Sequence, residues 1–114
     1  EVAGEQAMKE RQRNQLFNGK TLKSRISAIR SMRNNTYHEL VPELLKLVAD
    51  ASQPLELRVN TAECLGWFAH TPRRAEIIDA CRQAAADKNL EKELRDELTQ
   101  TAIRLESTVS VPTR

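Results

Sequence analysis

Apolar residues recur along most of this chain at the spacing of a helix that packs on one side. Between residues 21 and 33, the apolar side chains fall at intervals of three and four residues: Leu22, Ile26, Ile29 and Met32. This spacing places them on one face of an α-helix. Asn18 and Gly19 stand just before it and tolerate the backbone conformation that ends a helix. The pattern predicts a helix over 21–33, capped by Thr21.

Four more helices are predicted downstream, because apolar stripes recur in about 36–49, 54–69, 73–86 and 89–106. Thr36 and Glu39 have the spacing of a capping box, in which hydroxyl and carboxylate each bind a backbone amide. Pro42 lies early in the helix that they open, which predicts either a kink or a later start. Thr71 and Pro72 are typical of a cap followed by a first-turn proline.

Both ends of the chain depart from this pattern. In residues 1–19 an apolar start gives way to seven consecutive polar residues, so we expect an N-terminal helix or linker that is only loosely docked. Residues 107–114 lack helical periodicity, and we expect a disordered tail there. The predicted organisation is therefore one helical domain over 20–106 between these two segments.

Composition favours the same all-α class. Aromatic residues make up 4% of the chain and only three glycines occur, so the strands and tight turns of a sandwich or barrel are not indicated. A length of 114 residues suits one domain with a modest core. A charged fraction of 30% favours an elongated protein with much surface per residue.

Three of the predicted helices carry an internal repeat. Each has an arginine near its start, followed by small or apolar residues at matching positions, and these arginines are Arg25, Arg58 and Arg95. An aspartate lies eight residues before each of the last two, namely Asp50 and Asp87. Such an aspartate can accept turn amides and bridge to an arginine of the neighbouring repeat. Phe17 holds that place before the first arginine, so no complete unit is predicted ahead of it.

The run Leu57–Gly66, LRVNTAECLG, resembles the Val-Arg-x-x-Ala-x-x-x-Leu-Gly run of HEAT repeats, although Val59 follows the arginine where the family has it before. The resemblance covers about residues 20–106. It implies an all-α, short right-handed α-α superhelix of the HEAT/armadillo type, with about five to six helices. We expect pairs at 21–50 and 54–87 and a half unit after them.

That number of units is small for a solenoid, and the chain starts at Glu1 rather than at Met. We therefore expect it to be a portion of a larger protein. The predicted function is a non-catalytic protein-interaction or scaffolding module. Its partner is another protein or another domain of the parent chain. The predicted partner-binding residues lie off the apolar stripes of the second helices: Glu39, Glu43, Lys46, Arg74, Asp79 and Arg82.

Enzyme chemistry finds little support in the sequence. The glycines are isolated, so no phosphate loop is formed. The two cysteines and two histidines lack metal-ligand spacing. Cys64 and Cys81 are predicted to be free, buried thiols, a disulfide between them being the alternative. We predict no catalytic residue, cofactor or metal, while an accessory domain of an enzyme remains an alternative. Trp67 is predicted either to anchor a partner or to join the core with Phe68.

Nucleic-acid binding is the alternative function. Residues 1–34 carry eight Lys/Arg against three Glu, a net charge of +5, and residues 35–114 carry ten against thirteen acids, or −3. The basic residues predicted to contact phosphate are Lys20, Lys23, Arg25, Arg30 and Arg33. They are not interleaved with aromatic residues, which favours a solvated helix face. No apolar run is long enough to span a membrane, and the compartment stays open.

Overall fold

All the regular structure in the computed structural model, which describes residues 2–107, is helical. The α-helices are α1 (Val2–Asn18), α2 (Leu22–Ser31), α3 (Val41–Ala49), α4 (Leu55–Leu65), α5 (Arg74–Ala85) and α6 (Lys92–Ser107). Two 3₁₀ turns, Met32–Asn34 and His38–Leu40, lie between α2 and α3. No strand occurs among these residues, so the predicted all-α class is confirmed. The predicted tail, apart from Ser107, lies outside the described residues.

The helices pair one step earlier along the chain than the sequence indicated. α1 packs on α2, α3 on α4, and α5 on α6. The loops within these pairs are short, at 19–21, 50–54 and 86–91, whereas 32–40 and 66–73 join one pair to the next. Short loops place consecutive helices side by side. The predicted pairs 21–50 and 54–87 started one helix late because α1 was not counted as a packing element.

The three pairs stack into two layers. In one layer α4 lies between α2 and α6, and α3 and α5 are in contact in the other. The core contains fully buried side chains from both layers, among them Leu57 and Leu98 of the first and Leu44 and Ile77 of the second. Thr101 of α6 donates its hydroxyl to the carbonyl of Ala62 in α4 at 2.7 Å. With extents of 45 × 42 × 17 Å, the molecule is a thin slab. It is nearly as wide as it is long, so the elongated shape predicted from the charged fraction is not found.

Helix α1 is anchored to this stack rather than loosely docked. Leu16, in its last turns, is fully buried. Arg13 donates from Nε to both carboxylate oxygens of Glu43, at 2.8 and 3.0 Å. Lys9 Nζ lies 3.2 Å from a carboxylate oxygen of Glu39. Polar contacts therefore hold most of this helix, and apolar packing is concentrated at its C-terminal end.

The helix starts agree only in part with the predicted caps. Thr21 caps α2, because its hydroxyl accepts the amide of the third residue on at 3.0 Å. The capping box of Thr36 and Glu39 does not form, since the 3₁₀ turn there has no side-chain cap and the Glu39 carboxylate binds α1 instead. Helix α3 begins at Val41, with Pro42 in its first turn. This is the later start that the proline allowed.

The loop between α1 and α2 leaves no room for a side chain at Gly19. A Cβ there would lie 2.5 Å from the carbonyl oxygen of Gln15, whereas a Cβ at Gly4 in α1 would meet nothing within 4 Å. We expect Gly19→Ala to lower the free energy of unfolding by about 1–2 kcal/mol. Gly4→Ala should leave it unchanged or raise it slightly, since alanine favours helix. Urea unfolding of both variants measures this, and two equal effects would contradict the close approach.

Candidate functional site

The predicted partner-binding residues of α3 lie near α1. Glu39 and Glu43 accept the bonds from Lys9 and Arg13 described above. The Glu39 carboxylate accepts hydrogen bonds from its own backbone N–H and from Lys9, and these two bonds hold its pKa below the ordinary value. Lys46 is exposed. Two of the three side chains are therefore engaged within the chain, and a role in partner binding stays a prediction for all three.

Of the three predicted partner-binding residues of α5, two likewise bind within the chain and one is exposed. Arg74 donates from Nε and Nη2 to the carbonyl of Leu105, at 2.9 and 2.6 Å. Arg82 Nη2 lies 2.5 Å from the carboxylate of Glu106, and this bond lowers the pKa of Glu106. Asp79 is exposed. Both arginines thus fasten α5 to the end of α6.

The three repeat arginines occupy equivalent places, each at the fourth residue of α2, α4 or α6. Each Nε donates to a main-chain carbonyl in the segment before its helix: Arg25 to Leu16 at 2.6 Å, Arg58 to Val48 at 2.9 Å, and Arg95 to Leu90 at 3.0 Å. The first two acceptors lie in the last turn of a helix, where carbonyls lack partners within the helix. These arginines therefore join α2, α4 and α6 each to the segment that precedes it in the chain.

Two of these arginines also reach forward. Arg25 Nη2 donates to Gln53 at 3.0 Å, and Arg58 Nη1 lies 3.7 Å from a carboxylate oxygen of Glu91. Gln53 and Glu91 both lie in the loop that precedes the next helix of the same layer. Each of the two arginines therefore connects three successive parts of the stack.

The repeat aspartates bind their own turns. Asp50 accepts the amide and hydroxyl of Ser52 at 2.9 and 2.6 Å, and Asp87 accepts the amide of Asn89 at 2.9 Å. This is the turn-amide contact that was predicted. The bonds from Ser52 lower the pKa of Asp50. The predicted bridge to an arginine is not formed at Asp50: Arg58 lies 3.7 Å from Glu91 instead, and its charge makes only the last contribution to the lower pKa of Asp50.

Among the described residues, Trp67 is the largest exposed apolar side chain, with 49% of its surface accessible. Its indole N–H donates to Glu63 at 3.2 Å, and the other Glu63 oxygen accepts Arg33 Nη2 at 2.7 Å. The Arg33 guanidinium lies 5.5 Å from the centroid of the Trp67 ring. We call these three side chains the Trp67 cluster. Phe68 beside it is fully buried, so of these two adjacent aromatic residues Trp67 is the one available to anchor a partner.

An open groove runs along the contact of α2 with α4 towards this cluster. Its volume is about 520 Å³, and it is lined by Leu22, Lys23, Ile26, Ser27, Arg30 and Glu56. Beyond it, Arg30 Nε donates to Asn60 at 3.3 Å, and the Trp67 cluster follows. The groove and the Trp67 cluster together form what we call the α2–α4 edge.

The residues predicted to contact phosphate are largely engaged. Arg25, Arg30 and Arg33 hydrogen-bond to Gln53, Asn60 and Glu63, respectively. The other two, Lys20 and Lys23, are exposed. Only Arg33 among these five pairs with a carboxylate. The side-chain partners of Arg25 and Arg30 are neutral amides, so both arginines keep their positive charge.

Both cysteines are buried and unbonded, as predicted. Burial raises the pKa of Cys64 to about 12 and that of Cys81 to about 11. Both are therefore neutral thiols at physiological pH, and a neutral thiol is a poor nucleophile and a poor metal ligand. Over residues 2–107 no three His, Cys, Asp or Glu side chains are grouped to hold a metal ion. The helices of the same residues include none with the length and apolar character to cross a membrane.

Glu97 of α6 is a carboxylate in an unfavourable place, because burial, followed by the negative charge of Glu63, raises its pKa above 4.5. A carboxylate whose pKa rises on folding destabilises the protein as pH increases through that pKa. We therefore expect Glu97→Gln to raise the free energy of unfolding at neutral pH by up to about 0.5 kcal/mol, a small value because water screens the site. Near pH 3, where the carboxyl is protonated, the gain should vanish. Urea unfolding at both pH values tests this, and a gain independent of pH would contradict it.

No family model, curated protein or solved structure matches the chain.

Proposed function

We propose that this chain is a HEAT-like stack of three helix pairs, a short right-handed α-α superhelix. Four side-chain contacts support the stacking, because each joins residues thirty positions apart: Lys9 with Glu39, Arg13 with Glu43, Arg30 with Asn60 and Arg33 with Glu63. All four join the first pair to the second, and their constant offset indicates that these two pairs stack in parallel register. The third pair joins the second through the bond from the Thr101 hydroxyl to the Ala62 carbonyl. The equivalent places of the repeat arginines support the same arrangement.

The function that fits this architecture best is non-catalytic protein interaction or scaffolding. The observation that carries it is Trp67, which is half exposed and yet held on two sides by Glu63 and Arg33. Tryptophan and arginine dominate the energetics of protein interfaces. A ring that is already held loses little conformational freedom on binding. An exposed and fixed aromatic side chain is therefore well suited to anchor a partner.

The partner in this proposal is another protein, or another domain of a longer chain that contains these residues. The face predicted from the sequence, on α3 and α5, is less suited to it. Most of its charges already bind within the stack, at Glu39, Glu43, Arg74 and Arg82. A partner there would have to compete with those contacts, whereas the Trp67 ring is open to a partner without breaking any.

Photo-crosslinking tests this proposal. A photoreactive phenylalanine analogue replaces Trp67 in the full chain, produced in the cells that naturally contain it, and adducts are identified by mass spectrometry. The matched control carries the analogue at Lys46, which is exposed on the other layer. We expect a dominant protein adduct from position 67 that excess unmodified chain suppresses, and only background from position 46. Adducts at position 67 no more abundant than that background would contradict the proposal.

A further inference from the structure

The α2–α4 edge has the shape and the charge to receive one particular kind of partner. We propose that it binds an acidic amphipathic helix of about three turns, with its apolar side towards the groove and the Trp67 ring. This inference rests on the proposed function and names the chemistry of its partner. In this recognition mode an amphipathic helix lays its apolar face into a groove between helices.

The length of the edge sets the length of the partner. It extends from Leu22 at the start of α2 to Arg33 just beyond its end. At about 1.5 Å per residue this distance is roughly 16 Å, or three helical turns. The groove occupies the first part, with a volume of about 520 Å³, and the Trp67 cluster occupies the last. A helix of similar length can therefore contact both.

Charge on the groove rim selects an acidic partner. No Asp or Glu occurs from residue 11 to residue 38, a stretch that holds seven Lys or Arg. Lys23 on the rim is exposed, and Arg30 hydrogen-bonds to the neutral amide of Asn60. These two cations are seven residues apart, about 10 Å along the helix. Two carboxylates at the same spacing on a partner helix would therefore meet both.

Apolar surface lies at both ends of the edge. Leu22, which is half-buried, lines the groove at one end, and the Trp67 ring, 49% exposed, stands at the other. Ile26 also lines the groove but belongs to the core, with 9% of its surface exposed. An apolar side chain at each end of a three-turn helix would bury against these positions, and buried apolar area contributes about 25 cal/mol per Å². Carboxylates between them would face the cations.

The acidic residues of the edge argue against a phosphate backbone as the occupant. Glu56 lines the groove and Glu63 belongs to the Trp67 cluster, so a densely charged polyanion would meet repulsion at both ends. A peptide helix can place neutral residues opposite these two carboxylates. It therefore accommodates the mixed charges of the edge better than nucleic acid does.

The chain contains one tryptophan, so its intrinsic fluorescence reports on the edge directly. The full chain is titrated with three probes. The first is a synthetic peptide with leucines at helical spacing and glutamates elsewhere, about 18 residues long because isolated helices become populated at that length. The second is the same peptide with lysine for glutamate, and the third is a short DNA duplex. We expect the acidic peptide to shift the Trp67 emission saturably. It should bind at least about tenfold more tightly than the other two, and more weakly as salt increases.

Two variants give the charge requirement its own test. Lys23→Glu, and separately the pair Lys23→Glu with Arg30→Glu, should weaken binding of the acidic peptide, the pair by about tenfold or more. Lys46→Glu on the other layer makes the same change of charge and should leave the affinity unaltered. Circular dichroism checks that each variant is folded. If the double variant is not folded, Lys23→Glu alone still tests the charge requirement.

Three results would overturn this inference. The acidic peptide gives no saturable shift of the emission, or its affinity is unchanged by Lys23→Glu. In the third, the duplex binds more tightly than the acidic peptide, which would make the edge a polyanion site. The crosslinking experiment separates this failure from failure of the proposed function. A specific protein adduct at position 67 without binding of the acidic peptide leaves the interaction module standing and removes only the acidic helix.

Discussion

Replacing Arg58 by alanine is expected to lower the free energy of unfolding by about 3 kcal/mol. The side chain is almost fully buried, with 3% of its surface exposed. Its removal leaves the Val48 carbonyl without the bond at 2.9 Å and breaks the contact with Glu91 in the loop before α6. It also empties the space that the arginine stem fills in the core. Urea unfolding followed by circular dichroism measures the change.

Arg95 provides the matched control for that measurement. It occupies the same position in α6 and donates to Leu90 at 3.0 Å, but it is only half-buried and lies in the last helix of its layer. We expect Arg95→Ala to cost about 1 kcal/mol, the typical contribution of one hydrogen bond. Equal losses at the two positions would contradict the role of Arg58 as the link between successive pairs.

Replacing Leu16 by alanine is expected to lower the free energy of unfolding by about 3 kcal/mol. The substitution leaves a cavity where a fully buried side chain was. Leu16 is completely inaccessible and lies beside Leu40 and Leu44 at the base of α3. A cost of this size would show that α1 is part of the cooperative unit that unfolds together. The same urea titration measures it.

Met8 controls for this second prediction. It lies on the same helix but is 38% exposed, so Met8→Ala should change the free energy of unfolding by no more than about 0.5 kcal/mol. A neutral Leu16→Ala would contradict the packing described here. It would place α1 outside the cooperative core and leave the stack with two pairs.

Where apolar side chains carry the packing, the helices could be predicted from the sequence. The stripe of Leu22, Ile26 and Ile29 marked α2, and all three face the core. For residues 1–19 only a loosely docked helix or linker was predicted. The packing of α1 was missed because Arg13 and Lys9 hold it against α3 through carboxylates. The same residue types also make up solvated helix faces, so no periodicity separates the two cases. Because α1 was left out, the predicted helix pairs each began one helix later than the pairs in the structure.

The candidate site was harder to predict, for a related reason. Charges off the apolar stripes were assigned to a partner, but Glu43 and Arg82 bind other helices of the same chain. A search for opposite charges at a constant offset would have found Lys9 with Glu39 and Arg13 with Glu43, thirty residues apart. The exposure of Trp67 could not be predicted, since it depends on where α4 ends relative to its neighbours.

We propose the α2–α4 edge, with Trp67 at its end, as the surface that binds a protein partner. Amide hydrogen exchange of the full chain, alone and with the partner recovered by crosslinking, tests this claim most directly. We predict slower exchange on binding in residues 22–34 and 55–67, with α3 and α5 unchanged. Slower exchange confined to residues 38–49 and 74–85 would contradict the claim and return the interface to the face predicted from the sequence.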